Sequence, residues 1–213
     1  SQQLVDLAWR MDGSHCIVTV VLAAATVPAS TVTLQYDIRP DGAVVVQQDL
    51  LPGSDKLPDL PEFGMLFVLD GSLDSIEWYG RGPHENHWDR KTSARLGRFA
   101  GTVGSQYVPY LKPQECGNKT DVRFASVTTS ANGDGLRFES SGLMEWSALP
   151  WTPEELEAAD HGYKLPVSQQ TVIRVNDKQM GVGGDDSWGA PTHVEYSLPA
   201  NRTYSLRFTV KPV

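Results

Sequence analysis

Cysteine is scarce in this chain. Cys16 and Cys116 are the two present among 213 residues, too few for a disulfide framework and without metal-site spacing. Cys16 falls in an apolar run and is expected to be a small core residue, whereas Cys116 falls in a polar loop and is expected to be partly exposed. Positive charge is in deficit: 18 Lys and Arg stand against 26 Asp and Glu, a net charge of −8. That balance argues against nucleic acid or an anionic membrane surface as partner, and it suits a neutral ligand. No apolar run approaches the ~20 residues that span a bilayer. The opening Ser-Gln-Gln carries neither the basic nor the apolar stretch of a targeting signal. A cytoplasmic location is therefore expected, and the chain reads as a fragment cut from something longer. No internal repeat, linker or low-complexity segment is visible. Phosphate-loop Gly-Lys-Ser/Thr, nucleophile-elbow Gly-x-Ser-x-Gly and His-Glu-x-x-His patterns are also missing, which removes the commonest motif-borne chemistries.

What the chain has instead is alternation with period two. Globular composition (40% apolar, 21% charged) is threaded by short β-branched runs between turn residues. Strands are expected over 16–22, 31–39, 43–50, 63–69, 75–79, 122–128, 136–140, 143–147, 171–175, 193–197 and 204–210. Arg39-Pro-Asp-Gly42 signals a tight hairpin, and Asn132-Gly-Asp-Gly135 another turn. One short helix is expected after Thr152, with Pro153 at its first position and Glu155 completing a capping box. Residues 81–121 form the longest stretch without strand pattern, and such a stretch is either functional or a packed connection. About a dozen short strands in one domain, 1–213, imply an all-β fold, a large antiparallel β-sandwich of two packed sheets.

Three segments concentrate chemistry. Gly181-Val-Gly-Gly-Asp-Asp-Ser-Trp-Gly189 places an indole, Trp188, on flexible backbone after two carboxylates. A flat aromatic at a loop tip suits the apolar face of a sugar ring; the alternative is a Trp folded back onto a sheet edge. Asp185, Asp186 and Ser187 are turn residues that can hold the loop. As neighbours in sequence, the two Asp are poorly placed to flank a sugar at the ~5–9.5 Å that glycoside hydrolysis requires. In the segment 77–90, His84, Glu85 and His87 can form an acid–base set, or with Asp89 a metal site, or else a loop braced by Asp89 and Arg90. In 113–123, Glu115, Asn118 and Arg123, with Lys119 and Asp121, can bind hydroxyls or form an internal charge network. Scaffold is the preferred reading of both.

Taken together, Trp78-Tyr-Gly-Arg-Gly-Pro-His-Glu-Asn-His-Trp-Asp-Arg90, Tyr110-Leu-Lys-Pro-Gln-Glu-Cys-Gly-Asn-Lys-Thr-Asp-Val-Arg123 and Gly181-Val-Gly-Gly-Asp-Asp-Ser-Trp188 occur in one order. In that order they resemble the C-terminal, small-chain-like domain of the β-galactosidases of glycoside hydrolase family 2. The resemblance covers essentially the whole chain. It departs at His87-Trp88 and at Cys116, where the family commonly carries an aromatic after the Asn and an Asn respectively. It implies a galactose-mutarotase-like sandwich and a parent enzyme that hydrolyses terminal β-D-galactosides such as lactose with retention. The catalytic glutamates would lie in a separate barrel domain, absent here, so that this chain alone is inactive. Trp188 would complete the sugar site. The parent would use Mg and a monovalent cation, with no cofactor in this chain, and would be a homo-oligomer. Two other readings stay open: a stand-alone mutarotase-like epimerase pairing His84 or His193 with Glu85 or Glu115, and a carbohydrate-binding small subunit of a split galactosidase.

Overall fold

Eleven strands and one α-helix account for the regular structure of the computed structural model, which describes residues 2–186 and 188–213. In chain order the strands are β1 (Gln2–Asp12), β2 (His15–Ala24), β3 (Ser30–Ile38), β4 (Val44–Leu51), β5 (Glu62–Asp70), β6 (Ser75–Gly82), β7 (Arg95–Thr102), β8 (Lys119–Thr128), β9 (Gly135–Leu149), β10 (Gln170–Gln179) and β11 (Tyr204–Pro212). Helix α1 (Pro153–Ala158) has the expected capping box: Glu155 N donates to Thr152 Oγ1, and Thr152 N donates to Glu155 Oε2. The hairpin between β3 and β4 closes through Arg39 N to Ala43 O (2.9 Å). Gly42 there sits at φ +82°, a conformation that other residues rarely adopt.

All strand pairings are antiparallel, and hydrogen bonding joins them in the order β1-β2-β3-β4-β11-β9-β8-β6-β7, with β10 and then β5 branching from β9. The sequence suggests separate strands at 136–140 and 143–147; the structure has one long strand. β9 bends between them and exchanges β11 for β10 as its neighbour. That exchange lets the β10–β5 arm fold over β11, so the sheet makes both layers of the sandwich. The seam is aromatic: Phe67 on β5 meets Phe138 on β9 and Phe208 on β11 edge-on, at 5.4 and 6.1 Å between centroids. Trp78, Trp146, Met144, Ile173 and Leu198 fill the interior between the layers. Each such buried side chain contributes roughly 1.5–3 kcal/mol of transfer free energy.

Several expectations need correction. β1 and β7 are not among the expected strands: β1 alternates only from Asp6 onward, after a register shift between Leu4 and Asp6, and β7 is interrupted by Gly97 and Gly101. Residues 193–197 do not make a strand. His193 starts a 3₁₀ turn, Val194–Tyr196, whose last carbonyl accepts from Gly181 N, so the segment is tied to a loop instead of a sheet edge. Cys116 is buried, packed with Leu149 and Leu156 in a second small cluster beneath the 107–116 loop, while Cys16 is only half-buried. Among the described residues no helix is long and apolar enough to cross a membrane.

Candidate functional site

The loop that follows β10 is built on a tight base. Gly181 N donates to Tyr196 O (2.8 Å) and Gly181 O accepts from Thr192 Oγ1 (2.9 Å). A Cβ at Gly181 would lie 2.6 Å from Thr192 Cγ2 and 2.8 Å from Asp89 Oδ2, so only glycine fits. Further out, Asp186 Oδ1 accepts from Trp188 N (2.7 Å) and Ala190 N (3.4 Å), the local bonding that suits Asp to a turn. Asp185 Oδ1 and His193 Nε2 lie 2.8 Å apart, and that bond pushes the imidazole pKa above its ordinary value. Ser187 lies outside the described residues. Trp188 is 95% exposed.

Asp89 joins this loop to the 81–90 segment. Its Oδ2 accepts from Val182 N (2.7 Å) and Gly183 N (3.3 Å), while Trp88 packs edge-on against Tyr196 at 5.4 Å. The rest of the segment is anchored elsewhere. Glu85 accepts from the Tyr110 hydroxyl, from Gly117 N (2.9 Å) and from Arg90 Nη2 (3.0 Å). Burial alone would raise the Glu85 pKa, but these donors and the neighbouring charges outweigh it and hold the carboxyl below its usual range. His87 is buried, and burial lowers its pKa below the ordinary value. His84 is exposed, with Nε2 3.1 Å from Ser93 Oγ. Among the described residues no cluster of His, Cys, Asp or Glu is arranged to hold a metal ion. Nor do His84 and His193 hydrogen-bond Glu85 or Glu115; their partners are Ser93 and Asp185.

Among the described residues the charged side chains of 113–123 form no ion pair with one another. Glu115 reaches Arg174 on β10, together with Glu62, and Asp121 holds Arg81 (2.5 Å) and Lys91 (3.0 Å). Arg123 donates to the Asp121 carbonyl and lies over the Tyr79 ring at 5.3 Å. Asn118 Nδ2 donates to Asn86 O (3.2 Å) and to Glu145 Oε2 (3.0 Å), and Asn86 Oδ1 accepts from Thr120 N (3.0 Å). Thus Asn86, Thr120, Glu145 and Arg174, which the sequence reading passed over, stitch the two loops to the sandwich. Their signal was available: a charge such as Glu145 or Arg174 inside a run buried on both faces needs a partner. Between α1, the 114–118 loop and Gln179–Val182 lies an open groove of about 910 Å³, lined by Glu62, Glu115, Glu157, His87 and Met180.

Comparison with known proteins places this geometry in context. Residues 2–210 match the family described as beta galactosidase small chain. The chain is 52% identical over 197 residues to a beta-galactosidase of Priestia megaterium, covering 92% of this chain and 19% of that protein. It is 32% identical over 211 residues to a beta-galactosidase small subunit of Latilactobacillus sakei, covering 94% of this chain and 65% of that protein. Among solved structures, a galactose mutarotase related enzyme from Lactobacillus acidophilus aligns with a TM-score of 0.43 and 11% identity, over 98% of this chain and 71% of that one. The chain thus spans about a fifth of the length of the P. megaterium protein and about two thirds of the L. sakei subunit.

Proposed function

The chain belongs to the β-galactosidase small-chain family, and from that premise we propose that it is the non-catalytic, sugar-contacting part of a retaining β-galactosidase of glycoside hydrolase family 2. In this reading the reactive carboxylates reside in a barrel elsewhere in the parent enzyme. This chain packs against that barrel and lends it Trp188. One observation carries the reading: a large indole stands 95% exposed at the end of a loop whose base is bonded at Gly181, Asp89 and Asp186. An exposed Trp on a stem bonded at its base offers its π-face to an apolar sugar face. By analogy with other aromatic contacts, the stacking contributes about 0.5–1.5 kcal/mol to substrate binding. It breaks no bond.

The test is Trp188→Ala in the galactosidase polypeptide that carries this chain, assayed with lactose. A KM raised roughly 2–10-fold follows from the loss of that stacking energy. The isolated 213-residue chain is expected to leave a chromogenic galactoside intact. Hydrolysis by the isolated chain, or unchanged lactose kinetics in the variant, overturns the proposal.

A further inference from the structure

The open groove between α1, the 114–118 loop and Gln179–Val182 plays no part in the reading above, yet buried polar side chains line it. At about 910 Å³ it falls within the ~300–1,000 Å³ of small-ligand sites. Three lining residues are at least nine-tenths buried: His87 is 6% exposed, Asn118 3% and Gln179 9%. Polar groups so deeply buried are normally matched by hydrogen bonds. These three are matched only in part. Among the described residues His87 makes no side-chain hydrogen bond, and its Nδ1 is shielded from solvent. The Gln179 side-chain amide has no partner there either, and Asn118 bonds through Nδ2 alone, leaving Oδ1 without a donor.

What is missing is a partner for the side chains, since the three residues themselves are held in place. Gln179 N and Asn118 Nδ2 both donate to Glu145 Oε2, at 3.2 and 3.0 Å, and His87 N donates to Arg90 O at 3.2 Å. Polar groups fixed in this way bind without first having to be ordered.

The surroundings select the class of ligand. Glu62, Glu115, Glu154 and Glu157 line the same groove. Arg174 answers the first two and Lys112 the last, while among the described residues no base pairs with Glu154. Four carboxylates against two cations leave the groove negative, which repels an anion. A cation would use acceptors alone, but the buried groups mix both kinds. The Gln179 amide donates and accepts, and Asn118 Oδ1 accepts. Burial lowers the His87 pKa, so its neutral ring has one donor and one acceptor nitrogen. Hydroxyl groups, each able to donate and to accept, match that set. Pro61, Met180 and Val182 add an apolar wall that suits the C–H face of a pyranose ring.

We propose that this groove is a second carbohydrate site, separate from Trp188, whose His87, Asn118 and Gln179 side chains exchange hydrogen bonds with the hydroxyls of a neutral mono- or disaccharide. One wall of the groove is also the stem of the tryptophan loop, where Asp89 Oδ2 holds Val182 N and Tyr196 O holds Gly181 N. A sugar seated against Met180 and Val182 therefore braces that stem. The inference goes beyond the galactosidase reading and does not require it.

Titration of the isotope-labelled 213-residue chain with galactose, glucose or lactose, followed by NMR, tests the site. The side-chain amide signals of Gln179 and Asn118 and the Met180 methyl shift saturably, with a Kd on the order of 1 mM. Gln179→Ala removes a side chain that bonds nothing in the protein, so it keeps the melting temperature and weakens binding about tenfold. Trp188→Ala leaves the Kd unchanged. Saturable shifts that Trp188→Ala abolishes and Gln179→Ala spares overturn the proposal, because the sugar then sits at the loop tip. Shifts produced by ethylammonium and by none of the sugars overturn it in favour of a cation. Signals that none of these compounds moves overturn it outright. The Met180 methyl is also followed, with glucose, in the galactosidase polypeptide that carries this chain. A response lost there overturns the proposal in favour of a groove filled by the catalytic part. Galactoside hydrolysis by that polypeptide is scored separately: an active enzyme without the shifts defeats this inference alone, and an inactive one with them defeats the galactosidase reading alone.

Discussion

One carboxylate oxygen of Asp89 accepts the backbone amide of Val182 at 2.7 Å, tying two sequence segments 93 residues apart. Gly183 N shares the same oxygen at 3.3 Å. The stem of the tryptophan loop is therefore set partly by the His-Glu-Asn-His-Trp-Asp segment, which packs its Trp88 against Tyr196 in the same region.

Asp89→Ala removes both bonds and should lower unfolding free energy by about 1–2 kcal/mol, at or below the low end for hydrogen bonds to charged groups because both bonds are exposed. Asp89→Asn keeps an acceptor and should cost less. Amide exchange reads the effect directly: Val182 and Gly183 lose protection in the Ala variant, while strand amides of β10 keep theirs. On the proposed function, in which the loop contacts sugar without reacting with it, the same variant in the parent galactosidase raises KM more than it lowers kcat.

This link was only half legible in the sequence. Asp89 stands out as a loop-bracing residue, yet spacing could not say whether it braces its own loop or another. A strand with clean alternation, such as β6, can be read directly, because a half-buried sheet face writes itself into every second residue. β1 was legible only over Asp6–Asp12, where the alternation resumes after the register shift beside Val5; β7 was not, since Gly97 and Gly101 break the pattern. The 193–197 segment alternates as a strand does, yet bonds to Gly181 pull it into a 3₁₀ turn. Glu115 and Asp121 were legible as paired charges, but their partners Arg174, Arg81 and Lys91 are brought to them by topology alone.

The loop glycines differ in what they tolerate. A Cβ at Gly184 would fall 2.3 Å from the Ala190 carbonyl oxygen and 2.6 Å from that of Pro191, whereas at Gly183 it would meet nothing within 4 Å. Gly184→Ala is expected to force the two arms of the loop apart and shift Trp188, raising KM in the parent severalfold with less than about 1 kcal/mol change in global stability, since the loop is at the surface. Gly183→Ala should leave KM unchanged. Equal kinetics for the two variants would show that loop closure does not position the indole.

Arg174 is a buried cation between two carboxylates, Glu62 and Glu115, whose side chains remain 33% and 46% exposed. Burial alone would lower the guanidinium pKa; the two carboxylates reverse this and raise it. Arg174→Met keeps the apolar stem and deletes the charge. The loss should be about 2–3 kcal/mol, at or below the low end for a fully buried pair, because both carboxylates can recover water. Urea unfolding measures it. High salt should narrow the gap between Arg174 and the Met variant only slightly, since the guanidinium is shielded from mobile ions.

Glu145 sets a pH dependence of the opposite sense to that of an ordinary salt-bridged acid. It is fully buried beside Trp146, and burial raises its pKa to about 7, against the opposing effects of Lys178 (3.7 Å away), Asn118 Nδ2 and Gln179 N. Between its ordinary value near 4.5 and about 7, the folded carboxyl keeps a proton that the unfolded chain has released. Its contribution to stability is therefore full below the ordinary value and lost as pH rises through 7, a total on the order of 3 kcal/mol. His87 works against this trend in the wild-type profile: burial favours its neutral form, so its contribution grows as pH rises through the ordinary imidazole range. Glu145→Gln separates the two. The amide mimics the protonated acid, retains an acceptor for Asn118 and leaves His87 in place. The two proteins should be of similar stability at pH 5, and the Gln variant more stable at pH 8. Parallel stability curves from pH 5 to 8 would mean that Glu145 is already ionised in the folded protein and that Lys178 compensates for its burial.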